Sequence, residues 1–136
     1  MPVFKDSKDR EWIVTINLGT CRRTKSATGF DFLASDENSN PLLKLASDYL
    51  LLADVLWTIV EPQATNLKVS VEDFIESLSG DCIENAVNAI AEAYVNFTPN
   101  PQRRELLLKL WTKIKSIEKT MLERAEKQVE TATIGD

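Results

Sequence analysis

The stretch WIVTINLGTCRRTKSATGFDF, residues 12–32, changes period halfway along. Trp12, Val14 and Ile16 alternate with Ile13, Thr15 and Asn17, and a period of two is the mark of a strand with one buried face. From about Thr20 to Thr28 the spacing becomes helical, with Leu18, Cys21, Thr24 and Ala27 or Thr28 on the side turned to a core. Gly29 stands where a helix ends in a left-handed residue, a conformation that glycine adopts without steric cost. Arg22, Arg23 and Lys25 fall around the opposite face. The segment therefore poses a question of partner: nucleic acid, another part of this chain, or another protein.

Working towards the N-terminus, Phe4 is the candidate for a second strand, with KDSKDRE as the polar turn of a hairpin. An isolated hairpin is marginal in water, so helices must cover one of its faces. Working the other way, SDENSNP (residues 35–41) reads as a surface loop, with Asn40 placed to cap a helix and Pro41 at its first position. One helix, or two with a break near Ser47-Asp48, then carries the apolar run YLLLADVLWTIV to about Glu61. Pro62 follows, and QATNLKV reads as a loop. Leu50, Leu52, Val55, Leu56, Trp57 and Ile59 leave few polar sides, which predicts the central buried helix.

Ser70 with Asp73 predicts a helix start carrying a capping-type carboxylate, with Phe74, Ile75 and Leu78 inward. SGD at 79–81 breaks the chain, and a further helix puts Ile83, Ala86, Val87, Ile90, Tyr94 and Phe97 on one stripe. TPNP ends it at 98–101. The last helix is expected from about Gln102 to Val129, with Leu107, Trp111, Ile114, Ile117 and Met121 recurring every three or four residues. At 1.5 Å per residue it would reach about 40 Å, beyond the diameter of a domain of this size. Its stripe is then either folded back as core or left as a surface for a partner or a second copy. The pairs Glu105 with Lys109 and Glu123 with Lys127 would support an exposed helix.

The expected architecture is mostly α with a short N-terminal β-hairpin: a small helical bundle with a long C-terminal helix. It reads as a single domain with a β element at 1–18, a helical core at 19–100, the long helix at 101–130 and a frayed tail at 131–136.

The 136 residues carry a net charge of −5, unevenly spread. Residues 1–30 hold six basic and three acidic side chains, residues 31–100 two and twelve, and residues 101–136 eight and six. A basic head and tail around an acidic middle can satisfy one another within the fold or steer association between copies. No apolar run approaches the roughly 20 residues of a membrane span, and MPVFKDSKDREW does not have the pattern of a secretory signal. A soluble cytoplasmic protein is expected, with no membrane partner. Cys21 and Cys82 lack metal-ligand spacing and are expected as reduced, packed thiols.

Histidine is absent, which removes the commonest general base and metal ligand. Neither cysteine has a visible activating partner, and the four glycines form no phosphate loop. Glu72, Asp73, Glu76, Asp81 and Glu84 are the one concentration of carboxylates; capping and a solvated helix face account for them better than a metal or acid/base site. No catalytic residue, metal or cofactor is assigned. RRTK and QRR offer too small a basic patch on an acidic chain for phosphate binding, and no exposed aromatic run offers stacking, so nucleic acid is not an expected partner.

REWIVTINLGTCRRTKSATGFDF, PLLKLASDYLLLADVLWTIVEPQA and SVEDFIESLSGD together resemble the small tail assembly chaperones of long-tailed bacteriophages and prophages. The resemblance covers roughly residues 10–97. It implies a non-catalytic protein of the host bacterial cytoplasm that binds tape measure and tail tube proteins during tail assembly, with a homo-oligomer possible. A minor tail or connector subunit retained in the particle is the alternative. The family pattern transfers no functional residue. The partner-binding candidates are Arg22, Arg23 and Lys25 on the basic helix, and Leu107, Trp111, Ile114, Ile117 and Met121 on the C-terminal stripe.

Overall fold

The computed structural model describes residues 2–33 and 41–134, with side chains through residue 130. The elements run β1 (Val3–Lys5), β2 (Glu11–Ile13), α1 (Leu18–Thr28), α2 (Pro41–Ser47), α3 (Tyr49–Leu67), α4 (Val71–Glu76), α5 (Asp81–Phe97) and α6 (Pro101–Ile134). This is the mostly-α fold with an N-terminal hairpin that the periodicities predict. The chain divides into two compact units, Met1–Pro99 and Asn100–Asp136, and the boundary falls in the TPNP segment.

β1 and β2 pair antiparallel, with Phe4 opposite Trp12 and Lys5 opposite Glu11. Trp12, Val14 and Ile16 are all buried, although the ladder itself stops at Ile13. Trp12 lies edge-on to Phe74 of α4, with ring centroids 5.1 Å apart. The far edge of the hairpin is closed by a side chain. The Ile13 amide donates to Gln63 Oε1 at 2.9 Å, and Gln63 Nε2 donates to the Ile13 carbonyl at 2.7 Å. One glutamine thereby does what a third strand would do.

That contact explains the largest departure from the sequence reading. The helix was expected to stop at Pro62, yet α3 runs through it to Leu67 and ends at Lys68 in the left-handed conformation. An internal proline forfeits a backbone hydrogen bond and costs about 3 kcal/mol in a helix interior. Here Gln63 bonds the hairpin and Ala64 is buried in the core, and both contacts require the helix to continue. At its start, the open choice between one helix and two resolves as two, with Asp48 capping α3 through the Leu51 amide.

α1 begins at Leu18, capped by Asn17, whose side chain accepts from the Thr20 amide at 2.8 Å. Gly29 ends it at φ 78°, in the left-handed region as expected. Its buried side centres on Thr24 and includes Thr20 and Cys21. Leu18, expected inward, is 67% exposed. Burial of threonine carries no polar penalty here, because the Thr24 hydroxyl donates to the Thr20 carbonyl at 2.8 Å. Leu50 is a second correction: assigned to the buried helix face, it is 80% exposed. It shares a side of α3 with Asp54 and Glu61, four and eleven residues on, both of them exposed.

α5 buries Ala86, Val87 and Ile90, while Ile83, Tyr94 and Phe97 are half-buried. The Tyr94 hydroxyl donates to the Phe32 carbonyl at 3.1 Å, tying α5 to the segment after α1. α6 is a 34-residue helix, about 50 Å long, and residues 131–134 belong to it rather than to a frayed tail. The expected loop at 35–40, including the Asn40 cap, lies outside the described residues, as do residues 135 and 136.

Candidate functional site

The most organised polar cluster lies at the base of the hairpin. Asp6, 3% exposed, accepts from Trp12 Nε1 at 2.9 Å, Arg10 Nε at 2.7 Å, and the amides of Lys8 and Arg10 at 2.9 and 3.0 Å. Arg10 also reaches Asp73 of α4 at 2.9 Å, and Lys8 pairs with the same carboxylate. Burial raises the Asp6 pKa, but the bonds from Trp12, Arg10 and the two amides outweigh it and hold the carboxyl below its usual range. Asp73 is lowered by Lys8 first and Arg10 second. Every oxygen in this cluster is engaged within the fold, so it locks α4 to the hairpin. Asp73, expected to act as a capping carboxylate, contributes only its amide to the Ser70 cap at 3.2 Å. Among the described residues no three carboxylates or thiols converge in a metal-binding group, and Glu72, Glu76, Asp81 and Glu84 are each exposed.

Arg22, Arg23 and Lys25 are all exposed on α1. Lys25 pairs with Asp31 just beyond the helix at 3.5 Å. Arg22 and Arg23 form no ion pair with any described residue. Cys21, on the buried side of this helix, is a free thiol that burial, reinforced by the Asp31 carboxylate, pushes above its usual pKa. Cys82 is also free.

The structure brings together an apolar groove that the periodicities did not reveal. Leu52, Ala53 and Leu56 of α3 form its floor, half-buried Ile75, Leu78 and Ile83 line its sides, and Tyr49 and Leu50 stand exposed on its rim. Its volume is about 150 Å³, room for roughly one aromatic side chain. Residues 48–56 and 71–84, which build it, carry Asp48, Asp54, Glu72, Asp73, Glu76, Asp81 and Glu84 and no lysine or arginine. Among the described residues, Asp73 alone of these acids has an ion pair, to Lys8 and Arg10. The sequence signal was present in Leu50 and Tyr49, apolar residues in the first turn of a helix whose same side goes on to carry Asp54 and Glu61.

α6 is its own surface. Leu107, Trp111 and Ile114 are half-buried, and Ile117 and Met121 are 50% and 64% exposed. Leu106, Leu108, Leu122 and Val129 add exposed apolar area around them. Glu105 and Lys109 form the expected pair at 3.4 Å, and the Lys115 ammonium sits 5.9 Å from the Trp111 ring centroid. The sequence-derived candidates therefore fall on two separate elements, and the groove is a third surface they did not include.

Compared with protein-family models, curated proteins and solved structures, the chain matches none of them. No helix among the described residues is long and apolar enough to cross a membrane.

Proposed function

We propose that this protein is a non-catalytic interaction protein and, following the resemblance of residues 10–97, a tail assembly chaperone of a long-tailed phage or prophage. In the host cytoplasm it holds tape measure and tail tube proteins while the tail assembles. One observation carries the reading: a 34-residue helix displays apolar side chains from Leu106 to Val129 with charged residues between them. A helix of this kind gains by laying its apolar stripe against another apolar helix. The interleaved lysines and arginines keep such a complex soluble and reversible. The apolar groove and the exposed Arg22 and Arg23 are further contact surfaces.

The test is co-expression with a tape measure protein. The partner stays in the soluble fraction and co-purifies with the chain, and the pair W111E/I114E abolishes this while the circular dichroism spectrum holds. R22E/R23E weakens capture at low salt and matters little at high salt, where exposed charges are screened. A tape measure protein that is equally insoluble with and without this chain overturns the proposal.

A further inference from the structure

We infer that the groove on the first unit receives the N-terminal half of α6 from a second copy of this chain. The inference rests on the reading of these two surfaces as interaction surfaces.

Charge and shape argue for this occupant. The groove segments carry no cation and seven acids, of which Asp73 is already paired to Lys8 and Arg10, and their apolar floor has room for about one aromatic ring. Residues 101–119 of α6 carry six cations, Arg103, Arg104, Lys109, Lys113, Lys115 and Lys119, against Glu105 and Glu118. Leu107, Trp111 and Ile114 lie at i, i+4 and i+7, the spacing of an amphipathic helix laid into a groove. Trp111 is the anchor, with Leu107 and Ile114 falling against Tyr49 and Leu50 on the rim. Acidic groove segments meeting a basic helix also argue against two grooves facing one another, since like charges would oppose. The C-terminal part of α6 lacks this excess of cations: residues 120–130 carry Arg124 and Lys127 against Glu123, Glu126 and Glu130.

Groove and helix are different patches, so the contact is head-to-tail and propagates into a ring or an open chain of subunits. Capture of a foreign apolar helix then competes with self-assembly for the same groove or the same stripe. That gives a chaperone a store of protected surfaces and a means of releasing them.

The experiment is sedimentation velocity on full-length chains carrying one defective surface each. L50E spoils the groove at a position already 80% exposed. E72K/E76K reverses the charge at two exposed positions on α4, one of the groove's segments, so the groove is tested even if one variant folds poorly. W111E/I114E spoils the helix. The wild type is expected to associate, and more weakly as salt rises. Each variant alone is expected to be monomeric, or at least about tenfold weaker in association. Mixing a groove variant with the helix variant should restore one intact contact and give a 1:1 heterodimer that grows no further.

A wild type that stays monomeric across the accessible concentration range overturns the inference, whether the groove is empty or filled within one chain. Groove variants that still associate overturn it in favour of pairing between two α6 helices. A mixture that remains monomeric overturns it as well. These readouts use this chain alone, so they fail or succeed independently of the tape measure co-expression.

Discussion

Trp12 and Trp111 are the same side chain in two regions of one molecule. Trp12 is fully buried, stacked edge-on against Phe74, with its indole N–H given to Asp6. Trp111 is half-exposed on α6, with an ammonium of its own helix near its ring. The first has its apolar area covered by Phe74 of α4, distant in sequence, and its one polar atom satisfied by Asp6 of its own hairpin. The second sits on a helix that cannot cover itself. The difference teaches where a large aromatic belongs to stability and where it is open to binding.

The contrast is broken most severely at Asp6. D6A strands the Trp12 indole N–H, two backbone amides and the Arg10 Nε–H at once, and should destabilise the first unit by about 3–5 kcal/mol in urea titrations. A loss below about 1 kcal/mol would mean that the cluster is incidental to the hairpin.

Acid should attack the same place. The Asp6 and Asp73 carboxyls are lowered in the folded state, so their contribution is fully present above the unfolded value near 3.8. It is lost as pH falls through their depressed folded values. Stability of the first unit, followed by tryptophan fluorescence in urea, should therefore drop below about pH 4. D6A should flatten that drop, because one of the two linked carboxylates is gone.

Gln63 sharpens the comparison at smaller scale. Q63A removes both bonds to Ile13 and should cost about 1–3 kcal/mol, with faster amide exchange at Ile13. Unchanged exchange there would show that water replaces the glutamine without loss.

The smallest effect is expected from the second unit. Among the described residues, every buried apolar side chain lies between Phe4 and Ala93. A chain ended at Pro99 should keep a cooperative transition with a stability within about 0.5 kcal/mol of the full chain. Loss of the transition would make α6 part of the core rather than a surface.

Much of this was legible in the residues. Alternation at Trp12, Val14 and Ile16, the Ser70 and Gly29 termini and the repeat in α6 each follow from local periodicity or capping, so they could be read without knowing the partners. The misreadings share a cause. Pro62 looked like an end because its local cost is visible, whereas the contacts of Gln63 and Ala64 that offset it come from fifty residues away or from the core. Leu18 and Leu50 looked buried because hydrophobicity alone was weighed, although Asp54 and Glu61 on the same side of α3 mark the exposed face. Of the candidate surfaces, the basic helix and the C-terminal stripe were legible, while the groove was not, because it exists only where α3, α4 and α5 meet.

The sequence by itself determined the hairpin, the helices and their caps, and the division of charge along the chain, because these depend on neighbours within a few residues. Only the tertiary structure decided that the Asp6 and Arg10 cluster would tie the hairpin to Asp73 of α4, that α3 would run through its proline, and that apolar side chains of α3, α4 and α5 would meet in one groove. Burial and hydrogen bonding between distant segments set those outcomes, and neither is written in any local window.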